Sequence, residues 1–518
     1  MNSFLQRHAA CVIGTLSGWD RLRFRGTLRM LANVVGLEHF LSYTGQLFKD
    51  FGKYVFEQSR QVRAASLAVA EEAGRPVEHL MAPSVSKEDR ARAIAHRDGI
   101  EKGLIAVLTA VEPCWSYEVR SNRAAGLLEL FHAYRKCQHL YHYQIHPIFG
   151  FMHARLQTWL PFNIHVCING REWLARQMDA AGISYLRQDN CFTWVSDLER
   201  AQALLEKQVR FDWSKALGEL SATVNPMLKR IVGDYRISYY WSLDESEWSS
   251  DVMFRQRSDL ERLYPSLIRH GMESFSSREV MRFLGRSVSA GITPRFAGEV
   301  ISDIASKPLK YEGVRIKHRV NRNAIKMYNK AGSVLRVETT LNNMRDLQSP
   351  RWIEGKVVYK RMRKGVADMP RRAQISEASN RRYFEALAAV STPTPLKTLT
   401  EKLSRPVKWN GKQVRGLNLL GEEDAALLEA AGRGEYVISG FRNRDLQHLL
   451  LHPAGDDPAE KRRRSGQITR KLRMLRAHGL IHKVPHTHRY LVSEKGRQVI
   501  GALHAAREAD IHKLAQAA

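Results

Sequence analysis

Leu472-Arg473-Met474-Leu475-Arg476-Ala477-His478-Gly479-Leu480-Ile481 is the stretch whose reading decides the fold of the C-terminal part. Ile468, Leu472 and Leu475 recur at i, i+4 and i+7, the spacing of one buried helical face. That helix is capped around Ser465 and runs to His478, and Gly479 supplies the left-handed residue that closes it. Ahead of it Pro453, Gly455 and Asp456-Asp457-Pro458 break the chain. A preceding helix starts at Asn443, an N-cap residue, and buries Leu446, Leu449 and Leu450. A still earlier one, Glu422 to Ala431, carries Leu427 and Leu428. Downstream, Leu480 to Val484 and Arg489 to Val492 read as two strands around Pro485-His486-Thr487-His488, with a final helix from near Ser493. Over Gly434 to Val492 this order describes a winged helix-turn-helix.

The face of the third helix opposite its apolar stripe carries Gln467, Arg470, Lys471 and Arg473, and Arg489 sits beside the wing. A helix with that surface enters a DNA major groove. Lys461 to Arg497 holds 12 Lys or Arg against one acid, Glu494. The Leu472–Ile481 phrase, with Arg489-Tyr490 and Ser493-Glu494-Lys495-Gly496, resembles the MarR-like winged-helix superfamily. The resemblance covers about the last hundred residues and implies a recognition helix and a basic wing on nucleic acid. The same superfamily also uses the fold for protein contacts alone.

Composition widens the case. The 518 residues contain 81 Lys plus Arg against 53 Asp plus Glu, a formal charge of +28. Such an excess attracts polyanions, nucleic acid first among them. No apolar run is long enough to span a bilayer, so membrane is not an expected partner. Met1 to Gly14 lacks the charged start and apolar core of a signal peptide. Cys11, Cys114, Cys137, Cys167 and Cys191 are odd in number and scattered, which suits reduced thiols in a cytoplasm.

The rest of the chain reads as α+β and multidomain, with mixed N-terminal and central regions ahead of the winged helix. The expected divisions are a mostly helical region over 1–130, an aromatic- and His-rich α+β region over 131–250, a basic β-containing region over 251–372, a helix and linker over 373–416, and the winged helix over 417–518. Gly18 to Gly26 suits a short strand burying Leu22 and Phe24. Leu28 to Ala73 and Lys87 to Leu108 read as helical, although Gly103 to Val111 also fits a buried strand. Asn169-Gly170 is a turn signal before a helix from Arg171 to Ala181. Lys307 to Lys330 holds eight Lys or Arg against Glu312, and Val314, Ile316 and His318 alternate with Arg315, Lys317 and Arg319. Ala324 to Tyr328 and Ser333 to Thr339 form a hairpin about Asn329-Lys330-Ala331-Gly332. Arg315, Lys317, Arg319, Arg322, Lys326 and Lys330 make this a second nucleic-acid surface.

Two sets of residues carry chemistry. His139, His142 and His146, following Cys137, share a face if helical, and zinc accepts such donors; packing is the competing explanation. Among acids, Asp244, Glu245, Glu247 and Asp251 cluster about Trp248, with Asp20 and Glu338 as candidates elsewhere. A two-metal nuclease uses such carboxylates with Mg²⁺, whereas a solvated helix start explains the Asp244 group and an ion pair explains Glu338. Lys326-Met327-Tyr328-Asn329-Lys330 with Leu335-Arg336-Val337-Glu338 resembles a stretch of rolling-circle replication initiators of filamentous phages and small plasmids. That likeness implies strand cleavage, but the family's His-hydrophobe-His signature is absent. No phosphate-binding Gly-x-x-x-x-Gly-Lys-[Ser/Thr] loop occurs. The reading is a DNA- or RNA-binding protein of mobile-element or replication type. A metal-dependent nuclease or strand-transfer enzyme and a large transcription regulator are the alternatives.

Overall fold

The computed structural model describes residues 1–81, 85–284, 300–306, 313–345, 347–388, 396–419, 421–433, 436, 440–451, 457–485 and 487–507. Lys307, Glu312, Gly434, Pro453, Gly455, Asp456 and His486, all part of the sequence reading, lie outside them. The strands are β1 (Val12–Leu28), β2 (Val77–His79), β3 (Gly103–Asn122), β4 (Leu127–His146), β5 (Gly150–Gln157), β6 (Ile164–Asn169), β7 (Tyr185–Gln188), β8 (Cys191–Val195), β9 (Tyr239–Phe254), β10 (Val300–Ser306), β11 (Val314–Val320), β12 (Asn323–Lys330), β13 (Val334–Leu341), β14 (Gln348–Ile353), β15 (Lys356–Arg361), β16 (Val407–Trp409), β17 (Lys412–Val414), β18 (Ile481–Lys483) and β19 (Tyr490–Val492). The helices are α1 (Asn2–Arg7), α2 (Val34–Tyr43), α3 (Phe51–Glu72), α4 (Lys87–Arg97), α5 (Gly170–Ala180), α6 (Leu198–Val209), α7 (Trp213–Val224), α8 (Leu228–Val232), α9 (Arg257–Glu273), α10 (Ser277–Phe283), α11 (Met369–Leu387), α12 (Leu396–Ser404), α13 (Glu422–Gly432), α14 (Asn443–Leu450), α15 (Pro458–Ala477) and α16 (Glu494–Arg507). The chain is thus mixed α and β. It divides into a unit of Gly14–Asp251 with Thr340–Glu377, and a unit of Met1–Ile13, Val252–Thr339 and Ala378–Ala518.

In the Gly14–Asp251 unit the strand order is β9-β1-β6-β5-β4-β3-β2. From β1 to β3 all pairs are antiparallel, and β2 joins β3 in parallel. The register sorts side chains onto two faces, because cross-strand partners project together. One face is apolar: Leu22 and Phe24 of β1, Ile164, Val166 and Ile168 of β6, and Met152, Ala154 and Leu156 of β5 are all essentially buried. The Phe24 ring meets Trp213 of α7 at 5.0 Å in a tilted arrangement, and a Cβ on Gly18 would meet Leu205 of α6, so helices cover this side. On the opposite face, α4 packs Ala91 and Ile94 onto Leu108, Tyr141 and Tyr143.

The helical expectation for 1–130 is corrected here: β1 spans 17 residues and β3 20. The helix expected from Lys87 to Leu108 stops at Arg97, where Gly99 adopts φ +59 and Ile100 N–H caps Ala95 O. Beyond that stop the chain enters β3, the buried strand that Gly103 to Val111 also allowed. Asn169 is an N-cap, accepting from the N–H groups of Arg171 and Glu172 at 2.8 and 3.3 Å. The Asp244 to Asp251 acids lie inside β9, which corrects the helix-start reading.

The other unit has the strand order β10-β11-β12-β13. The β12–β13 turn is as expected, with Ala331 and Gly332 at φ +54 and +75. Its core gathers Phe254, Leu267, Ile316, Met327, Leu335, Val337, Tyr383 and Phe384. A second core in the same unit joins Leu427, Leu446, Ile468, Leu472, Leu475, Ile481, Val492 and Val499 from α13 to α16. Helix α15 is longer than the sequence suggested: Asp457 caps it and Pro458 is its first residue, so the presumed breaker is a start signal. Leu480 N–H to Leu475 O and Gly479 N–H to Arg476 O, both 2.9 Å, close it as a Schellman motif. Asn443 does not cap α14. Asp445 accepts from Arg442 N–H instead, and Asn443 donates to Ser465 O and Thr469 Oγ1 on α15.

Arg171 is fully buried, 3.2 Å from the equally buried Asp251, and donates to Ser249 Oγ at 2.6 Å. Removing one member of a buried pair costs about 3–5 kcal/mol. Arg171→Met is therefore expected to lower the urea midpoint by that amount of stability, and Arg171→Met with Asp251→Leu to recover most of it. A double variant no more stable than the single one would contradict this account of the pair.

Candidate nucleic-acid interface and buried acids

The second face of the sheet in the Gly14–Asp251 unit is polar. Register places Arg21, Arg23 and Arg25 of β1 beside Cys167 and His165 of β6, then His153 and Arg155 of β5, then Tyr141 and His139 of β4. The three arginine side chains are 46%, 58% and 41% exposed. Arg155 donates to His165 Nδ1 at 3.1 Å and to Glu112 at 3.0 Å, and Glu112 also receives the Tyr141 hydroxyl and Lys87. Burial, then Arg155, Arg25 and Arg23, push His165 down to about 2; burial with Arg23 and Arg155 holds His153 down to about 4. Both rings are neutral at ordinary pH, and the positive charge on this face is arginine.

Of the proposed catalytic acids, Asp244 is engaged by Arg25 at 3.1 Å and Lys364 at 3.5 Å, while Glu245 takes Arg21 at 3.0 Å. Asp244 is therefore a salt-bridge partner of the arginine row. Asp20 is different. It is 4% exposed and accepts from Asn190 at 2.9 Å, and its carboxylate lies within 4.8 Å of that of buried Glu247. Glu247 in turn accepts from Arg21 at 2.9 Å. Glu247 belonged to the acidic stretch without being singled out, because its depth in β9 has no local signal.

In the other unit Asp303, Arg315, Lys317, Arg319 and Lys326 share one face of β10 to β12. Arg315 and Arg319 flank Asp303 at 3.6 and 3.0 Å, and Arg322 is exposed at the β11–β12 turn, with Lys330 half-buried at the far end of β12. Lys326 is not available to a phosphate: its Nζ lies 2.5 Å from Glu338, whose other oxygen takes the Tyr328 hydroxyl at 2.8 Å. Burial alone would raise the Glu338 carboxyl, but Lys326, Arg336 and Tyr328 outweigh it and hold it down to about 2. The ion-pair reading of Glu338 matches this geometry.

On α15, Arg470 and Arg473 are exposed and Gln467 is half-buried. Lys471 departs from the expected face: its side chain is 12% exposed and pairs with Glu423 of α13 at 2.9 Å. Arg489, also half-buried, donates to Gly440 O. The hairpin β14–β15 is the feature that composition did not isolate. Its register puts Trp352, Val357, Tyr359 and Arg361 on one side and Arg351, Lys356 and Lys360 on the other. Trp352 is 77% and Tyr359 58% exposed.

The histidine group is also rearranged. His139, His142 and His146 lie on strand β4, not a helix. His142 turns to the helix-covered face and meets Ser66 at 2.6 Å, while His139 shares the polar face with Cys137. No family model, curated protein or solved structure matches the chain.

The Glu338 pair predicts a pH dependence. Its folded pKa of about 2 lies below the ordinary 4.5, so its stabilisation is complete above the ordinary value and is lost as pH falls through about 2. In Lys326→Met burial dominates and the carboxyl rises above its unfolded value. That variant is expected to lose about 3–5 kcal/mol near pH 7, with the gap from wild type narrowing on acidification. Urea midpoints across pH check it; a gap independent of pH would refute the charge assignment.

Proposed function

We propose that the chain is a nucleic-acid-binding protein of mobile-element or replication type, acting in the cytoplasm. In this reading α13 to α16 with β18 and β19 are a winged helix, and α15 is its recognition helix. Arg470 and Arg473 contact the duplex, and Lys471 instead orients α15 against α13. The observation that carries the reading is the β14–β15 hairpin. From Arg351 to Lys364 it and its exit hold six Lys or Arg against Glu354, around two large rings left in water. Exposed rings among cations are poor for solubility but suited to unpaired bases and backbone phosphates. Arg21, Arg23 and Arg25, half-exposed in the same unit and paired with Asp244, Glu245 and Glu247, are further candidate contacts.

Affinity for duplex and for single strands should fall steeply with salt. Arg470→Ala with Arg473→Ala is expected to weaken duplex binding and reduce the salt slope by about two. Trp352→Ala with Tyr359→Ala is expected to weaken single-strand binding by about 1–3 kcal/mol per stacked base. Fluorescence anisotropy over a salt series decides; a flat response in wild type defeats the proposal.

A second reading is favoured by one observation, the buried Asp20–Glu247 carboxylate pair. Two carboxylates at that spacing can share a divalent cation and so serve phosphodiester cleavage. With Mg²⁺ or Mn²⁺ and a mixed pool of nucleic acids, wild type should then cut, and Asp20→Asn and Glu247→Gln should bind without cutting. A wild type that binds but leaves the pool intact removes the nuclease reading and keeps the binding one.

A further inference from the structure

On β3 and β4, remote in sequence from every cation assigned to nucleic-acid contact, stand two thiols and an imidazole that converge. Cys114, Cys137 and His139 are each at least nine-tenths buried, and one donor atom from each lies within 4.8 Å of the others. The sulfurs are 3.1 Å apart, and Cys137 Sγ is 3.9 Å from His139 Nδ1. Register explains the convergence: Cys114 faces Arg135, Cys137 faces Glu112 and His139 faces Ala110, so all three side chains leave the same side of the hairpin.

A disulfide and a metal make different demands on such a pair. Cys114 and Cys137 are diagonal neighbours, not directly opposed, and diagonal Cβ atoms on paired strands stand several ångströms further apart than the about 3.5–4.5 Å a disulfide needs. Their sulfurs are nevertheless turned toward one another and toward the imidazole. Two thiolates and one imidazole about a common point are the donor set of a thiophilic ion of the zinc class.

We propose that Cys114, Cys137 and His139 bind one zinc-class divalent ion, with a fourth position left to water or another ligand. Bound there, the ion clamps the two longest strands of the unit across their ladder. Binding needs the folded hairpin and so stabilises it. The proposal does not rest on nucleic-acid binding or on the Asp20–Glu247 pair.

The test uses full-length, reduced, chelator-treated protein titrated with Co²⁺. One Co²⁺ per chain should bind with an intense thiolate-to-cobalt charge-transfer band, and one Zn²⁺ should displace it. Cys114→Ser and Cys137→Ser should each lose the band, His139→Gln should weaken cobalt binding, and Zn²⁺ should protect both thiols from alkylation in wild type. Absence of the band in folded wild type overturns the proposal. So does a band that survives in both serine variants, or an air-oxidised Cys114–Cys137 disulfide formed by protein that takes up no cobalt. Because the wild-type titration decides by itself, a variant that fails to fold does not shelter the idea.

Discussion

The register of β1 against β6 is the constraint on which the Gly14–Asp251 unit depends. Leu22 and Phe24 alternate with Arg21, Arg23 and Arg25, and the pairing Arg23 with Cys167 and Phe24 with Val166 fixes which set goes to which side. A slip of one residue would drive three guanidinium groups under α6 and α7 and lift Phe24 away from Trp213. Both outcomes cost far more than a surface substitution, since unpaired buried cations are the most expensive groups to desolvate. One hydrophobic alternation therefore sets the core and, by default, gathers cations on the opposite face.

Charge that does go inside is matched locally. Arg171 meets Asp251, Lys326 meets Glu338, and Asp424, 2% exposed, takes Arg415 at 2.7 Å together with the Asn418 N–H. Burial alone would lift the Asp368 carboxyl, yet Arg351, the Arg363 N–H and Ser349 hold it below its ordinary value. These pairs do not add much net stability, because desolvation offsets most of the attraction. What they supply is geometry. Asp368 holds the β14–β15 hairpin through Ser349, Arg351 and the Arg363 N–H, while Trp352 near its turn and Tyr359 nearer its base stand in solvent.

How much of this was legible depends on whether the signal was local. The β12–β13 turn and the Gly479 stop are set by neighbouring residues, and they stand where the sequence put them. The alternation of Arg21 to Arg25 was also readable, but not the length of β1, because Leu16 to Asp20 are all buried and include the polar Ser17 and Asp20, so the periodicity fades. His139, His142 and His146 read equally well at helical and extended spacing; only pairing with β3 and β5, distant in sequence, decides for a strand. Depth was the other blind spot. Asp244 and Glu247 belong to one acidic run, yet one meets surface cations and the other lies buried beside Asp20. Nothing within the run distinguishes them, since the difference comes from β1.

Burial and pairing also limit what the basic composition can mean. A surplus of cations spread evenly would repel itself and leave no preferred contact. Among the described residues the exposed cations include a row of arginines along β1, each paired with an acid of β9, Arg470 and Arg473 along α15, and lysines on one side of a hairpin whose other side carries Trp352, Tyr359 and Arg361. Lys326 and Lys471, which sequence counted with them, are committed to Glu338 and Glu423 and hold elements in place. Separating buried cations that fix structure from exposed ones turns a net charge into candidate contact residues.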